Sequence, residues 1–108
     1  MWILSPGKVL DAFVHAHDLP ASAWGSQRAV ALPGITFSVG EGVEALRRVA
    51  GDEVARRVVF KRDERLNTMV RSFPGRFRTD RALQMGFRAD QDIESIIRDY
   101  IVAEGVKL

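Results

Sequence analysis

Three helix-start signals divide this chain and leave only short stretches for strands. Ser5 stands directly before Pro6, a hydroxyl cap followed by the residue best suited to a first helical position. Ser38-Val39-Gly40-Glu41 has the form of a capping box, in which the Ser38 hydroxyl and the Glu41 carboxylate each accept a free helix-start amide. Asp90 precedes a stripe of Ile93, Ile96, Ile97, Tyr100 and Ile101 at helical spacing. Strand-like sequence is confined to Trp2-Ile3-Leu4, Arg28 to Leu32, Ile35 to Phe37 and Val58-Val59-Phe60. The expected order is β-α-β-β-α-β-α-α, a small α+β unit of the α/β class occupying residues 1–108 as one domain.

The punctuation between these segments is consistent with that order. Val9, Leu10, Phe13 and Val14 give an amphipathic helix over residues 6–17, ended by Leu19-Pro20. Trp24 lies in a Ser/Ala/Gly loop, and Pro33-Gly34 forms a turn between two strands. Val43, Leu46, Val49 and Ala50 line the second helix, with Gly51 at its left-handed end. Asp52 to Arg56 suits one more helical turn, and Leu66 to Val70 a short helix before the break at Pro74-Gly75. Thr79 is the expected cap of another short helix, closed by Gly86.

Composition excludes several classes. The absence of cysteine removes disulfide frameworks, thiolate metal sites and thiol nucleophiles. No apolar run approaches the ~20 residues of a membrane span, and Met1 to Pro6 lacks the basic start and apolar core of a signal peptide. A cytoplasmic protein is expected. The formal charge is only +2. It is unevenly placed, because Arg56 to Arg81 holds eight Arg and one Lys against three acids.

That basic stretch is the main candidate for chemistry. Lys61, Arg62, Arg65, Arg71, Arg76, Arg78 and Arg81 surround Phe73 and Phe77, and arginine grips carboxylate or phosphate oxygens in pairs. A small-anion clamp, a nucleic-acid surface and a solvated face neutralised by Asp63, Glu64 and Asp80 all fit this pattern. The modest net charge disfavours nucleic acid.

Other motifs weigh less. Gly40-Glu41-Gly42-Val43-Glu44-Ala45 fits G-x-G-x-x-A, the outline of a dinucleotide loop. With Ser38 as cap, however, Gly40 already lies inside the helix, and Glu41 brings a carboxylate to the end where phosphate charge would sit. A capped helix is the better reading. His15 and His17 point about 200° apart on a helix and cannot share a metal. Asp63 and Glu64 show no acid/base pairing. Tyr100 reads as a packing residue, since Glu104 stands where a partner lysine would be needed.

Three stretches carry a family resemblance, in order and nearly end to end. They are Trp2-Ile3-Leu4-Ser5-Pro6 with its helix to His15-Ala16; Val30-Ala31-Leu32-Pro33-Gly34 with Val39-Gly40-Glu41 and Leu46 to Gly51; and Phe73-Pro74 through Phe77, Ala82-Leu83 and Met85 to Asp90. The chain resembles the C-terminal, substrate-binding part of an extended short-chain dehydrogenase/reductase, of the NAD-dependent epimerase/dehydratase family, in the branch of the D-erythronate dehydrogenases. The resemblance implies that Trp2 to Leu4 pairs with Ile35 to Phe37 in the small lobe, while Arg28 to Leu32 is a late strand of a larger sheet. It implies a sugar-acid substrate whose carboxylate an arginine holds, with Arg71 and Arg76 the candidates. Ala31, where sugar-nucleotide members commonly have asparagine, favours a non-nucleotide substrate.

The same resemblance implies NAD for a full-length relative and no cofactor bound by this chain, because the Rossmann core, its glycine-rich loop and the Tyr-x-x-x-Lys pair are missing here. No catalytic residue carries over. The implied chain is a fragment or a diverged stand-alone lobe, inactive alone. Its partners would be a Rossmann domain or further copies joined through an exposed strand edge, with no nucleic acid and no membrane. The alternative is a stand-alone, non-enzymatic domain that binds small anions or another protein.

Overall fold

The computed structural model describes residues 1–108. Its elements are β1 (Trp2–Ile3), α1 (Pro6–Asp18), α2 (Ala21–Trp24), β2 (Ile35–Thr36), α3 (Val39–Ala50), α4 (Asp52–Ala55), α5 (Glu64–Arg71), α6 (Asp80–Gln84) and α7 (Ile93–Ala103). This is a small α+β lobe. β1 and β2 pair antiparallel with Trp2 opposite Thr36 and Ile3 opposite Ile35. The Phe37 amide extends the ladder by donating to the Met1 carbonyl at 3.1 Å. The Trp2 and Ile35 segments thus pair as the resemblance implied.

The helix starts follow local chemistry. Ser5 Oγ accepts from the Lys8 amide and Ser38 Oγ from the Glu41 amide. The Glu41 carboxylate, however, closes on the Ser38 hydroxyl at 3.2 Å rather than on a backbone amide. Asp90 does not cap α7. Asp92 does, forming a reciprocal box with Ser95. Thr79 precedes α6 but makes no side-chain cap. The Ser/Ala/Gly loop contains the extra helical turn α2.

Asp90 has a different task. Both of its carboxylate oxygens are taken by Ser5, Oδ2 by the amide at 2.8 Å and Oδ1 by the hydroxyl at 2.6 Å. Ser5 and Asp90 are 2% and 6% exposed. Buried charge is tolerated only when hydrogen-bonded, and this clasp fixes the start of α1 to the segment before α7. Beside it, His15 Nε2 donates to the Met85 carbonyl at 2.7 Å, and the His15 ring meets Phe87 edge-on at 4.8 Å. His15 is therefore a structural histidine. His17 is exposed and pairs with Asp18 at 3.2 Å.

α3 packs on α4 and α7. Ile93, Ile96 and Ile97 face Val43 and Leu46 across an open groove of 380 Å³. Tyr100 lies beyond that seam and is 60% exposed, not packed as its place on the apolar stripe suggested. The α3–α7 contact is also held by Arg48, whose Nε donates to Glu94 at 2.6 Å. This hydrogen bond, with a backbone amide, holds the Glu94 carboxyl below its ordinary value of 4.5. A depressed carboxyl stabilises the fold above its ordinary pKa and loses that contribution as pH falls through the lowered value. Titration below pH 4.5 is thus expected to loosen α7 from α3 first, read as early loss of amide protection in Ile96 and Ile97; unchanged protection there would overturn it.

Two strand-like segments form no ladder. Arg28 to Leu32 and Val58 to Phe60 belong to no strand; the Arg28 to Leu32 amides donate to no backbone carbonyl, and the Val58 amide turns back to the Ala55 carbonyl at 3.1 Å. Their composition is strand-like, but a strand needs a neighbour and none lies alongside. No helix is long and apolar enough to cross a membrane.

The same openness marks the whole molecule. The only apolar residues in the buried core besides Pro33 are Ala45, Ala55, Ala82 and Phe87. The radius of gyration is 16.7 Å, against about 13 Å for a compact domain of this length. Extents of 50 × 34 × 17 Å describe a flat slab. The accessible surface is 8247 Å², whereas a closed globule of 12.1 kDa would expose about 6,000 Å².

Candidate functional site

The basic segment is organised by α5 and the loop after it. Asp63 caps α5 by accepting from the Leu66 amide at 3.1 Å. Lys61, Arg62, Asn67 and Arg71 then line an open groove of 440 Å³ whose apolar wall includes Phe60 and Val70. Arg62 is paired with Glu64, while Lys61 and Arg71 take part in no ion pair. Two free cations along an amphipathic groove suit an anion carrying a less polar body.

Arg76 is placed separately. Thr36 Oγ1 donates to the Gly75 carbonyl at 2.6 Å, and Phe77 meets Trp2 edge-on at 5.7 Å. Together these contacts fix the backbone on both sides of Arg76 to the small sheet. A second groove of 420 Å³ lies there, lined by Trp2, Leu4, Ala31, Leu32 and Phe77. None of the principal grooves is lined by both Arg71 and Arg76. Both side chains are exposed and free of acidic partners.

Arg81, counted with the basic cluster in the sequence, has another role. Its guanidinium donates to the carbonyls of Ala29, Trp24 and Gln27 at 2.8, 2.9 and 2.7 Å. It is the clamp that holds the loop before Arg28, so its charge is spent on backbone oxygens. Arg78 pairs with Asp80 at 3.6 Å in full solvent. No sequence motif marks an arginine that binds carbonyls fifty residues away. Replacing Arg81 by lysine is expected to cost about 1–3 kcal/mol, because one ammonium cannot serve three diverging oxygens. Thermal melts check this, and an unchanged melting temperature would sink it.

The glycine motif resolves as a helix start. Gly40 is the second residue of α3. A Cβ on Gly42 would lie 3.3 Å from the Phe37 ring, so the absence of a side chain there serves ring packing. No group of three His, Cys, Asp or Glu side chains is placed to hold a metal.

α1 and the Arg28 to Leu32 segment form a third groove, of 320 Å³, lined almost wholly by apolar side chains. Phe13, Leu10 and Val14 beside it are 70%, 65% and 63% exposed. The lobe thus presents a basic groove and an apolar one.

No family profile matches the chain. It is 37% identical over 106 residues to a D-erythronate dehydrogenase of Cupriavidus necator, covering 98% of this chain and 33% of that protein. It is 32% identical over 101 residues to a D-erythronate dehydrogenase of Haemophilus influenzae, covering 94% and 32%. The nucleoside-diphosphate-sugar epimerase of Agrobacterium tumefaciens superposes with a TM-score of 0.91 at 30% identity, covering 95% of this chain and 30% of that one. The fold is that of an extended short-chain dehydrogenase's C-terminal lobe. The chain spans about a third of the length of the curated relatives it matches. The likeness to a short-chain dehydrogenase and epimerase lobe, first seen in Trp2 to Pro6 and Met85 to Asp90, holds in both sequence and structure.

Proposed function

We propose that this chain is the substrate-side lobe of an NAD-dependent sugar or sugar-acid dehydrogenase, inert without a nucleotide-binding domain. The observation that supports this best is the uncovered apolar face of α1 and Arg28 to Leu32, in a lobe matching only a third of a dehydrogenase. On this reading the nucleotide-binding domain sits on that face and pairs with the extended segment. Bound NAD would accept a hydride from a secondary alcohol carbon of the substrate. This chain's own part is to bind and orient. The guanidinium of Arg76, held between Gly75 and Phe77, receives the substrate carboxylate in two parallel hydrogen bonds. Arg71, on the neighbouring groove, adds positive potential. The Tyr100 hydroxyl has no lysine four residues on and serves no proton transfer. We place this lobe in the cytoplasm, in keeping with a chain free of cysteine.

The lone chain is expected to form no NADH from D-erythronate and NAD. Grafted in place of the matching third of the Cupriavidus necator enzyme, it is expected to support turnover. In that chimera Arg76→Ala should raise KM at least about tenfold with a smaller change in kcat, as loss of substrate binding does. Turnover by the lone chain would overturn the claim that it is inert. An unchanged KM in Arg76→Ala would overturn the role of the arginine.

The unpaired Lys61 and Arg71 favour a second reading, a stand-alone anion-binding domain. It predicts thermal stabilisation of the lone chain by phosphate or a sugar acid, abolished in Lys61→Ala/Arg71→Ala.

A further inference from the structure

We infer that the polar pocket between α1 and the turn after α6 is a binding site for a small zwitterion of the α-amino acid type. Lys8, Asp11, His15, Gly86 and Arg88 line it, and it encloses 240 Å³. That is below the ~300–1,000 Å³ of pockets that take drug-sized ligands, so its occupant is small. It shares no residue with the grooves beside Arg71 and Arg76, and only Ala12 and Phe87 with the apolar groove on α1.

Charge identifies the occupant. Lys8, Asp11 and Arg88 take part in no ion pair, although Lys8 and Asp11 stand three residues apart on one helix. Two cations alone would call for a plain anion, but the Asp11 carboxylate repels one. A ligand with an anionic and a cationic end satisfies both signs. Its carboxylate lies between Lys8 and Arg88, and its ammonium faces Asp11.

The walls are held before any ligand arrives. Arg88 Nη1 donates to the Leu83 and Phe87 carbonyls at 3.0 and 2.8 Å, which fixes the guanidinium and leaves Nε and Nη2 as donors. His15 Nε2 is taken by the Met85 carbonyl at 2.7 Å, so Nδ1 of the neutral ring is a spare acceptor for an ammonium. Gly86, at a φ of 95°, admits that ring, since a Cβ there would lie 2.8 Å from Nε2. Groups already fixed in place bind with less ordering cost.

The site does not rest on the dehydrogenase reading, and its test uses the lone chain without turnover. Glycine and L-alanine are the probes, titrated into the isotope-labelled chain and followed by NMR shifts. Saturable shifts at Lys8, His15, Gly86 and Arg88 are expected, with a Kd of about 1 mM or tighter. Acetate and methylamine each carry one end only, and should bind at least about tenfold more weakly. Lys8→Met and Asp11→Asn remove charges that pair with nothing in the chain. Each should leave the melting temperature unchanged and weaken glycine binding at least about tenfold, whereas Lys61→Met in the other basic groove should bind as the parent does. No saturable shift with either amino acid, acetate binding as tightly as glycine, or undiminished binding in both pocket variants would each overturn the inference.

Discussion

Replacing Asp90 by alanine is expected to lower the melting temperature by on the order of 10–20 °C, or to abolish cooperative unfolding. The reason is the clasp between Asp90 and Ser5. Alanine removes both acceptors at once and strands a buried amide and a buried hydroxyl, whose partners lay at 2.8 and 2.6 Å. Hydrogen bonds to a charged group contribute about 1.5–3 kcal/mol each, and orphaned donors add a desolvation cost. In a domain whose buried core holds three alanines and one phenylalanine besides Pro33, little else offsets such a loss. Asp90→Asn keeps the shape and one acceptor, and should lose about half as much. Ser5→Ala removes the hydroxyl bond and the α1 cap together, for about 1–3 kcal/mol. Denaturant melts of the two single variants and the double variant form a cycle. Strict additivity would show that the clasp is not a unit.

Gly34→Ala is expected to destabilise by about 1–3 kcal/mol, the usual range for overpacking. A Cβ there would sit 2.9 Å from the Ile3 carbonyl oxygen, 2.7 Å from Leu4 Cδ1 and 2.8 Å from Trp2 Nε1. The Leu4 side chain can turn away, but the Ile3 carbonyl belongs to the backbone of β1 and cannot. The strain should therefore spread through β1 to the Trp2 indole, which donates to the Leu32 carbonyl at 3.3 Å. Trp2 fluorescence and melting temperature report the two effects. Gly7→Ala, where an added Cβ meets nothing within 4 Å, is the matched control and should not destabilise. Equal melting temperatures for the two variants would dispose of the close-approach argument.

Local chemistry made much of this fold legible. Ser5 and Ser38 cap helices because a short hydroxyl side chain reaches its own third amide, an interaction within one turn of chain. Gly51 and Gly86 end helices with φ of 90° and 95°, where a Cβ is unwelcome. What failed was anything decided at a distance. Asp90 carries the signature of a cap, yet its partner lies 85 residues away. The Asp92-x-x-Ser95 spacing was the signal for the true cap. Arg28 to Leu32 has strand composition, but pairing belongs to two segments and sequence names only one. Arg81 looked like its neighbours in the basic run because charge is visible in a sequence and carbonyl direction is not. Arg71 and Arg76 sit five residues apart in the chain and line no groove together, since Thr36 and Trp2 hold the backbone beside only the second.

The Ser5–Asp90 clasp also orders events during synthesis. Chains emerge N-terminus first, at about 5–20 residues per second. Ser5 therefore leaves the ribosome with its carboxylate partner still unmade, and for several seconds the start of α1 has no anchor to the segment before α7. A nascent chain stalled before residue 90 should remain sensitive to protease throughout α1. Resistance should follow once residue 90 has cleared the ribosome, a late locking of α1 by a carboxylate made 85 residues after its partner.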